Sequence, residues 1–152
     1  MYVAGSVGPT GISFPRDEEE FTQDDLRGSF QDQVRGLVSG GVDLLIIETF
    51  TNLDEVLLAL AVARKEAPDL PLIGQMVFPA RGRTVRGDDA LTCGRKMHAA
   101  GATLVGTNCG RGVDAMVLAV EKMSILAGEG VALSAFPNAG MPEVVGNRMI
   151  YP

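Results

Sequence analysis

The sequence predicts an α/β protein made of parallel strand–helix repeats, and three observations carry that prediction. Short apolar runs begin at Val42, Leu70, Thr103 and Val131, about 30 residues apart, which is the length of a strand, loop, helix and turn. The run over residues 42–49, VDLLIIET, is apolar from Leu44 to Ile47, as a parallel strand covered on both faces reads. Between the runs lie stretches with apolar residues at helical spacing, each ended by glycine or proline.

Residues 2–7 read as a first strand, closed by the turn Gly8-Pro9-Thr10-Gly11. A polar loop over 14–21 follows, and its acidic run from Asp17 to Glu20 reads as a solvated loop. Thr22 stands as an N-cap with Asp25 in the capping-box position. Leu26, Phe30, Val34, Leu37 and Val38 share one face of the helix that follows, and Gly40-Gly41 stops it. After the strand over 42–49, Asn52 caps a second helix with Glu55 at N3. Leu57, Leu60, Ala61 and Arg64 carry that helix to Pro68, where it must stop.

Residues 70–78 form the next strand, and 82–87, GRTVRG, a loop rich in glycine and arginine. Asp88 or Asp89 begins a helix that holds Leu91, Met97 and His98 and ends at Gly101. The stretch ATLVGTNCGRG over 102–112 starts as a buried strand and turns abruptly polar, placing Cys109 just past the strand's carboxyl end. A helix over about 114–127 is stopped by Gly128 and Gly130, and 131–136 make a last strand leading into Pro137-Asn138-Ala139-Gly140. The tail from Met141 to Pro152 has no strong periodicity and reads as loop.

The chain has 152 residues, 46% apolar and 21% charged, which suits one globular domain over 1–152 with a real core. A net charge of −6 excludes an electrostatic footprint for nucleic acid and disfavours anionic membranes. No apolar run approaches the roughly 20 residues a membrane span needs. The start lacks the basic flank and apolar core of a secretory signal. Two cysteines, Cys93 and Cys109, are too few for a disulfide framework, and a reducing cytoplasm is expected. The chain shows neither GxGxxG after its first strand nor GxxxxGK[ST], so nucleotide binding is unsupported.

Polar residues gather after the strands' carboxyl ends. They are Thr10, then Glu48 with Thr49 and Asn52, then Arg83 and Thr84, then Asn108 with Cys109, then Asn138. The opposite ends carry helix stops instead, an asymmetry that marks the active-site face of an α/β barrel. Helix capping accounts for Asn52. Glu48 ends a buried apolar strand, where an unpaired carboxylate is costly, so it needs either a structural partner or a ligand. Cys109 has two readings, a small buried hydrophobe or a functional thiol. Cys93 reads as core filler and His98 as a surface or packing residue, and the seven methionines sit mostly at helix-core spacing.

The segments VAGSVGPTG, GVDLLIIETF, GRTVRG, VGTNCGRG and SAFPNAGMPEVVG occur in an order that resembles the homocysteine S-methyltransferase family. The likeness is to the homocysteine-binding barrel of cobalamin-dependent methionine synthases and their smaller relatives. It implies a partial (β/α)8 TIM barrel with about five of eight βα units. It also implies zinc held by three cysteinates, with the substrate sulfur in the open fourth position. Cys109 matches the first of those cysteines, and Glu48 the carboxylate that faces the amino-acid end of homocysteine. Asn108, Thr10 and Asn138 match positions lining the same mouth. Methylcobalamin or a folate would reach the site through other modules, and the methyl donor is left open.

The family's other two zinc cysteines lie in a glycine-rich motif after the eighth strand, and no such motif occurs before Pro152. The expectation is a fragment, inactive or weak alone, whose open barrel edges favour self-association or a complementing segment. The rival expectation is a non-catalytic α/β module that binds an amino acid, or serves in assembly, without metal. A third, weaker expectation is an unrelated barrel enzyme using Glu48 as its acid or base.

Overall fold

The computed structural model describes residues 1–12, 20–79 and 81–151. Five parallel strands, β1 (Ala4–Val7), β2 (Leu44–Phe50), β3 (Leu72–Met76), β4 (Leu104–Cys109) and β5 (Ala132–Pro137), alternate with α1 (Gln23–Ser39), α2 (Leu53–Glu66), α3 (Ala90–Ala99) and α4 (Val113–Gly128). The strands lie side by side in chain order, β1-β2-β3-β4-β5. Right-handed crossovers that always step to the next strand put every helix on one face. The other face becomes the inside of a barrel, and the fold is a partial (β/α)8 barrel of the expected kind.

Alternation along the strands separates the two faces. A β-carbon added to Gly5 would stand 3.1 Å from Leu37 of α1, and one on Gly74 would stand 3.3 Å from Met97 of α3. These positions, with Val7, Leu45, Ile47, Leu72 and Val105, back onto the helices and form the buried core with Phe30, Val34, Val56, Leu60, Met97, Met123 and Leu126. The inward face carries Ser6, Ile46, Gln75, Gly106, Asn108 and Ser134 by the same period of two.

Local chemistry sets the helix limits. Thr22 accepts from the Asp25 N–H while Asp25 accepts from the Thr22 N–H, the reciprocal capping box. Gly41, at φ 82°, turns the chain out of α1. Asn52 caps α2 by accepting from the Asp54 N–H, and Asp89 caps α3 by accepting from the Leu91 N–H.

Several details differ from the sequence reading. Val38 is exposed, so the buried face of α1 is Leu26, Phe30 and Val34 with Leu37 partly covered. Ala61 also faces solvent, because α2 buries the neighbouring stripe of Val56, Ala59, Leu60 and Ala63. Glu55 makes no capping box and instead binds the loop after β1. Gly128 is the last residue of α4. His98 sits in the last turn of α3, its Nδ1 3.0 Å from the Ala102 carbonyl oxygen, which ties the helix end to the turn leading into β4. The tail is not all loop. Strands β6 (Glu143–Val145) and β7 (Arg148–Ile150) pair antiparallel around Gly146-Asn147, with Gly146 at φ 62°. A glycine that leads a two-residue hairpin turn takes that conformation without a Cβ penalty. The expected acidic loop lies mainly in 13–19, outside the described residues.

Candidate active site

The site forms where β2 and β4 end, and each strand ends in the same device. An inward polar residue is followed by a non-glycine residue in the left-handed region. In β2 it is Glu48 then Thr49, at φ 68°, and in β4 Asn108 then Cys109, at φ 55°. In β2 the register against β3 also shifts between Ile47 and Phe50, the mark of a bulge with one extra residue. Left-handed backbone costs an L-residue roughly 1 kcal/mol or more, and a β-branched threonine there is a genuine outlier. Such strain concentrates where side chains must be re-aimed. Regular alternation would turn Cys109 toward the helices with Thr107. The left-handed turn leaves its sulfur 3.4 Å from Asn108 Nδ2 and 3.9 Å from Thr49 Oγ1.

Asn108 is the centre of the arrangement and only 2% exposed. Its Nδ2 donates to Glu48 Oε2 and to Thr49 Oγ1, both at 2.8 Å, and its Oδ1 accepts from the Thr49 N–H at 3.0 Å. Glu48 Oε1 accepts from Ser6 Oγ of β1 at 2.8 Å. Glu48 and Asn108 come from strands separated by β3, as side chains from alternate strands do in one layer of a barrel interior. A second bridge obeys the same rule. Gln75 of β3 donates to Ser134 Oγ of β5 at 2.9 Å, over Gly106 of β4.

The structure brings Glu48, Asn108 and Cys109 into one bonded cluster. Asn138 joins its margin, its Nδ2 donating 3.0 Å to the carbonyl oxygen of Gly110, next to Cys109. Thr10 is occupied elsewhere, since its N–H and its Oγ1 both donate 2.8 Å to Glu55 Oε1 at the start of α2. Ser6 and Thr49 bond directly to the cluster, Thr49 from among the polar residues that follow the strand ends and Ser6 unmarked in the sequence, while Gln75 and Ser134 form their separate bridge and were likewise unmarked. Ser6 and Thr49 lie inside two of the matched segments, and period-two counting along β1 and β3 places Ser6 and Gln75 inward.

Half-exposed sulfur beside a carboxylate and an amide suits a thiol that meets a small polar ligand. A tetrahedral zinc takes four donors. Among the described residues no three His, Cys, Asp or Glu side chains converge on one point, so these residues alone do not make up a zinc centre. No described helix is long and apolar enough to cross a membrane.

The family model for homocysteine S-methyltransferase matches residues 1–152. In fold the chain is similar to the homocysteine methyltransferase MmuM from Escherichia coli. The apo form superposes with a TM-score of 0.71 at 22% identity, covering 92% of this chain and 50% of that one. The metallated form gives 0.67 at 22% identity, over 92% and 49%. PhdJ bound to a substrate intermediate gives 0.59 at 17% identity, over 89% and 43%. The chain thus spans about half the length of the MmuM chain.

Proposed function

The chain belongs to the homocysteine S-methyltransferase family, and from that premise we propose that it forms the homocysteine-facing part of a zinc-dependent methyltransferase. The reaction moves a methyl group from a donor to the homocysteine sulfur and gives methionine. Glu48 pairs with the ammonium of the amino acid, and Cys109 is one thiolate donor of a zinc centre. The other donors come from outside the residues described here. Zinc, when bound, keeps a thiol ligand deprotonated at neutral pH. The chain's own residues bind the amino-acid end, hold the sulfur ligand and keep the two in register.

The observation that carries this reading is the single amide between them: Asn108 Nδ2 lies 2.8 Å from Glu48 Oε2 and 3.4 Å from Cys109 Sγ. A metallated form of MmuM also exists, which supports a metal in a relative of this fold. The test measures zinc per chain and methionine formation from homocysteine, with and without a polypeptide supplying the family's paired-cysteine segment. Zinc retention and turnover are expected only with that segment, and Cys109→Ser abolishes both. Full turnover by the isolated chain would overturn the incomplete-site part. A second reading, metal-free amino-acid binding, is favoured because, among the described residues, no third His, Cys, Asp or Glu completes a metal-holding group with Glu48 and Cys109. Unchanged homocysteine affinity in Cys109→Ser would select it.

A further inference from the structure

We propose that Asn108 is a positioning residue: it makes no contact with the substrate and holds the Glu48 carboxylate in place beside Cys109, so that the carboxylate meets the ammonium of the amino acid. This rests on the roles given to Glu48 and Cys109 above. The resemblance alone put Asn108 among the substrate contacts, and the geometry assigns it differently.

Its polar capacity is already taken. The two hydrogens of Nδ2 face three protein acceptors, Glu48 Oε2, Thr49 Oγ1 and Cys109 Sγ, so none is left for a ligand. The side chain is also 2% exposed. Its carbonyl oxygen holds the Thr49 N–H, in the bulge that starts at Glu48. Thr49 is in the left-handed region, so this hydrogen bond offsets a strain that the residue would otherwise relieve by returning to extended backbone. That return would close the bulge and swing the Glu48 carboxylate away from the mouth. One side chain therefore holds the strained backbone, the carboxylate and the sulfur together.

The experiment is calorimetric titration of the full chain with L-homocysteine and with 4-mercaptobutyrate, which has the same thiol and carboxylate but no ammonium. Asn108→Ala is expected to weaken homocysteine binding at least about tenfold, the scale of one lost charge-assisted hydrogen bond, and to change 4-mercaptobutyrate binding less than about twofold. Adding Thr49→Gly, which removes the left-handed penalty, is expected to recover part of the loss. If Asn108→Ala does not fold, Asn108→Leu keeps the bulk, adds no charge, loses both donor and acceptor and is read the same way. Equal losses for both ligands, or no loss, overturn the positioning role and leave the family function standing. A wild-type chain that binds neither ligand even with zinc and the paired-cysteine segment supplied overturns the homocysteine reading and this assignment with it.

Discussion

Gly106 approaches Ser134 so closely that a β-carbon on it would stand 1.9 Å from the Ser134 carbonyl oxygen and 2.5 Å from its hydroxyl. The missing side chain is what lets Gln75 reach over β4 to Ser134. Both struck atoms belong to a paired neighbouring strand, and one is backbone, so no rotamer change relieves the clash. Gly106→Ala is therefore expected to force β4 from β5 and destabilise by about 3 kcal/mol, the upper end for overpacking. Urea unfolding of the variant measures this. A shift in midpoint corresponding to less than about 1 kcal/mol would show that the strands can separate freely here.

A different tie holds the loop after β1. Glu55 is 8% exposed and accepts from both the N–H and the hydroxyl of Thr10. Charge-assisted hydrogen bonds contribute about 1.5–3 kcal/mol each, and losing the acceptor strands a partly buried N–H. Glu55→Ala is expected to cost about 2 kcal/mol and to raise amide exchange at Thr10 and Ile12, leaving α3 and α4 protected. Hydrogen exchange followed residue by residue distinguishes this local opening from global loss. Uniform deprotection of the sheet would contradict it.

Apolar runs on a 30-residue beat were enough to read four strands, the run closed by Gly8-Pro9 gave the first, and Thr22 with Asp25 announced a capping box that the structure contains. The cluster was legible in part, because Glu48 and Asn108 end apolar runs where a polar residue needs a reason. What lay beyond reach were relations across the chain. Glu55 looked like a helix-start acid because its partner, Thr10, is 45 residues earlier. The left-handed turns at Thr49 and Cys109 carry no glycine to advertise them. The hairpin around Gly146-Asn147 carried a turn signal, but strands of three residues each are too short for alternation to register.

Acid sensitivity centres on Asp89, which caps α3 and meets Lys122 of α4 at 2.5 Å. The Lys122 ammonium, with the Leu91 N–H and Arg83 adding to it, holds the carboxyl below its ordinary value of 3.8. Asp25 and Glu66 are held low too, by Thr22 in the first case and by Gln31 and then Arg35 in the second. A carboxyl with a depressed folded-state pKa adds stability above its unfolded pKa, and that stability disappears as pH falls through the folded value. Stability is thus expected to be level above about pH 5 and to decline below about pH 4. Asp89→Asn keeps a competent cap but loses the ion pair, so its decline is expected to be shallower than the wild type's. Parallel acid-denaturation curves for the two proteins would rule out Asp89 as a contributor.

The two thiols are expected to diverge toward alkylating agents. Cys93 is fully covered by the core. Burial first, and the negative charge of Asp88 and Asp89 second, push its thiol from 9.0 up to about 12. Cys109 is half-exposed at the mouth. Iodoacetamide at neutral pH is therefore expected to label Cys109 and spare Cys93 until denaturant is added, as peptide mass mapping can read. The raised pKa also fixes a sign. The folded chain holds the Cys93 proton at pH values where the unfolded chain has released it, so the unfolded state binds fewer protons and stability falls with rising pH. That contribution is fully present below pH 9 and is lost between pH 9 and about 12. Cys93→Ala removes the titrating group, at the cost of a small void, and is expected to flatten the stability curve across that interval. A slope unchanged by the substitution would place the alkaline transition on other groups and return Cys93 to an inert filler.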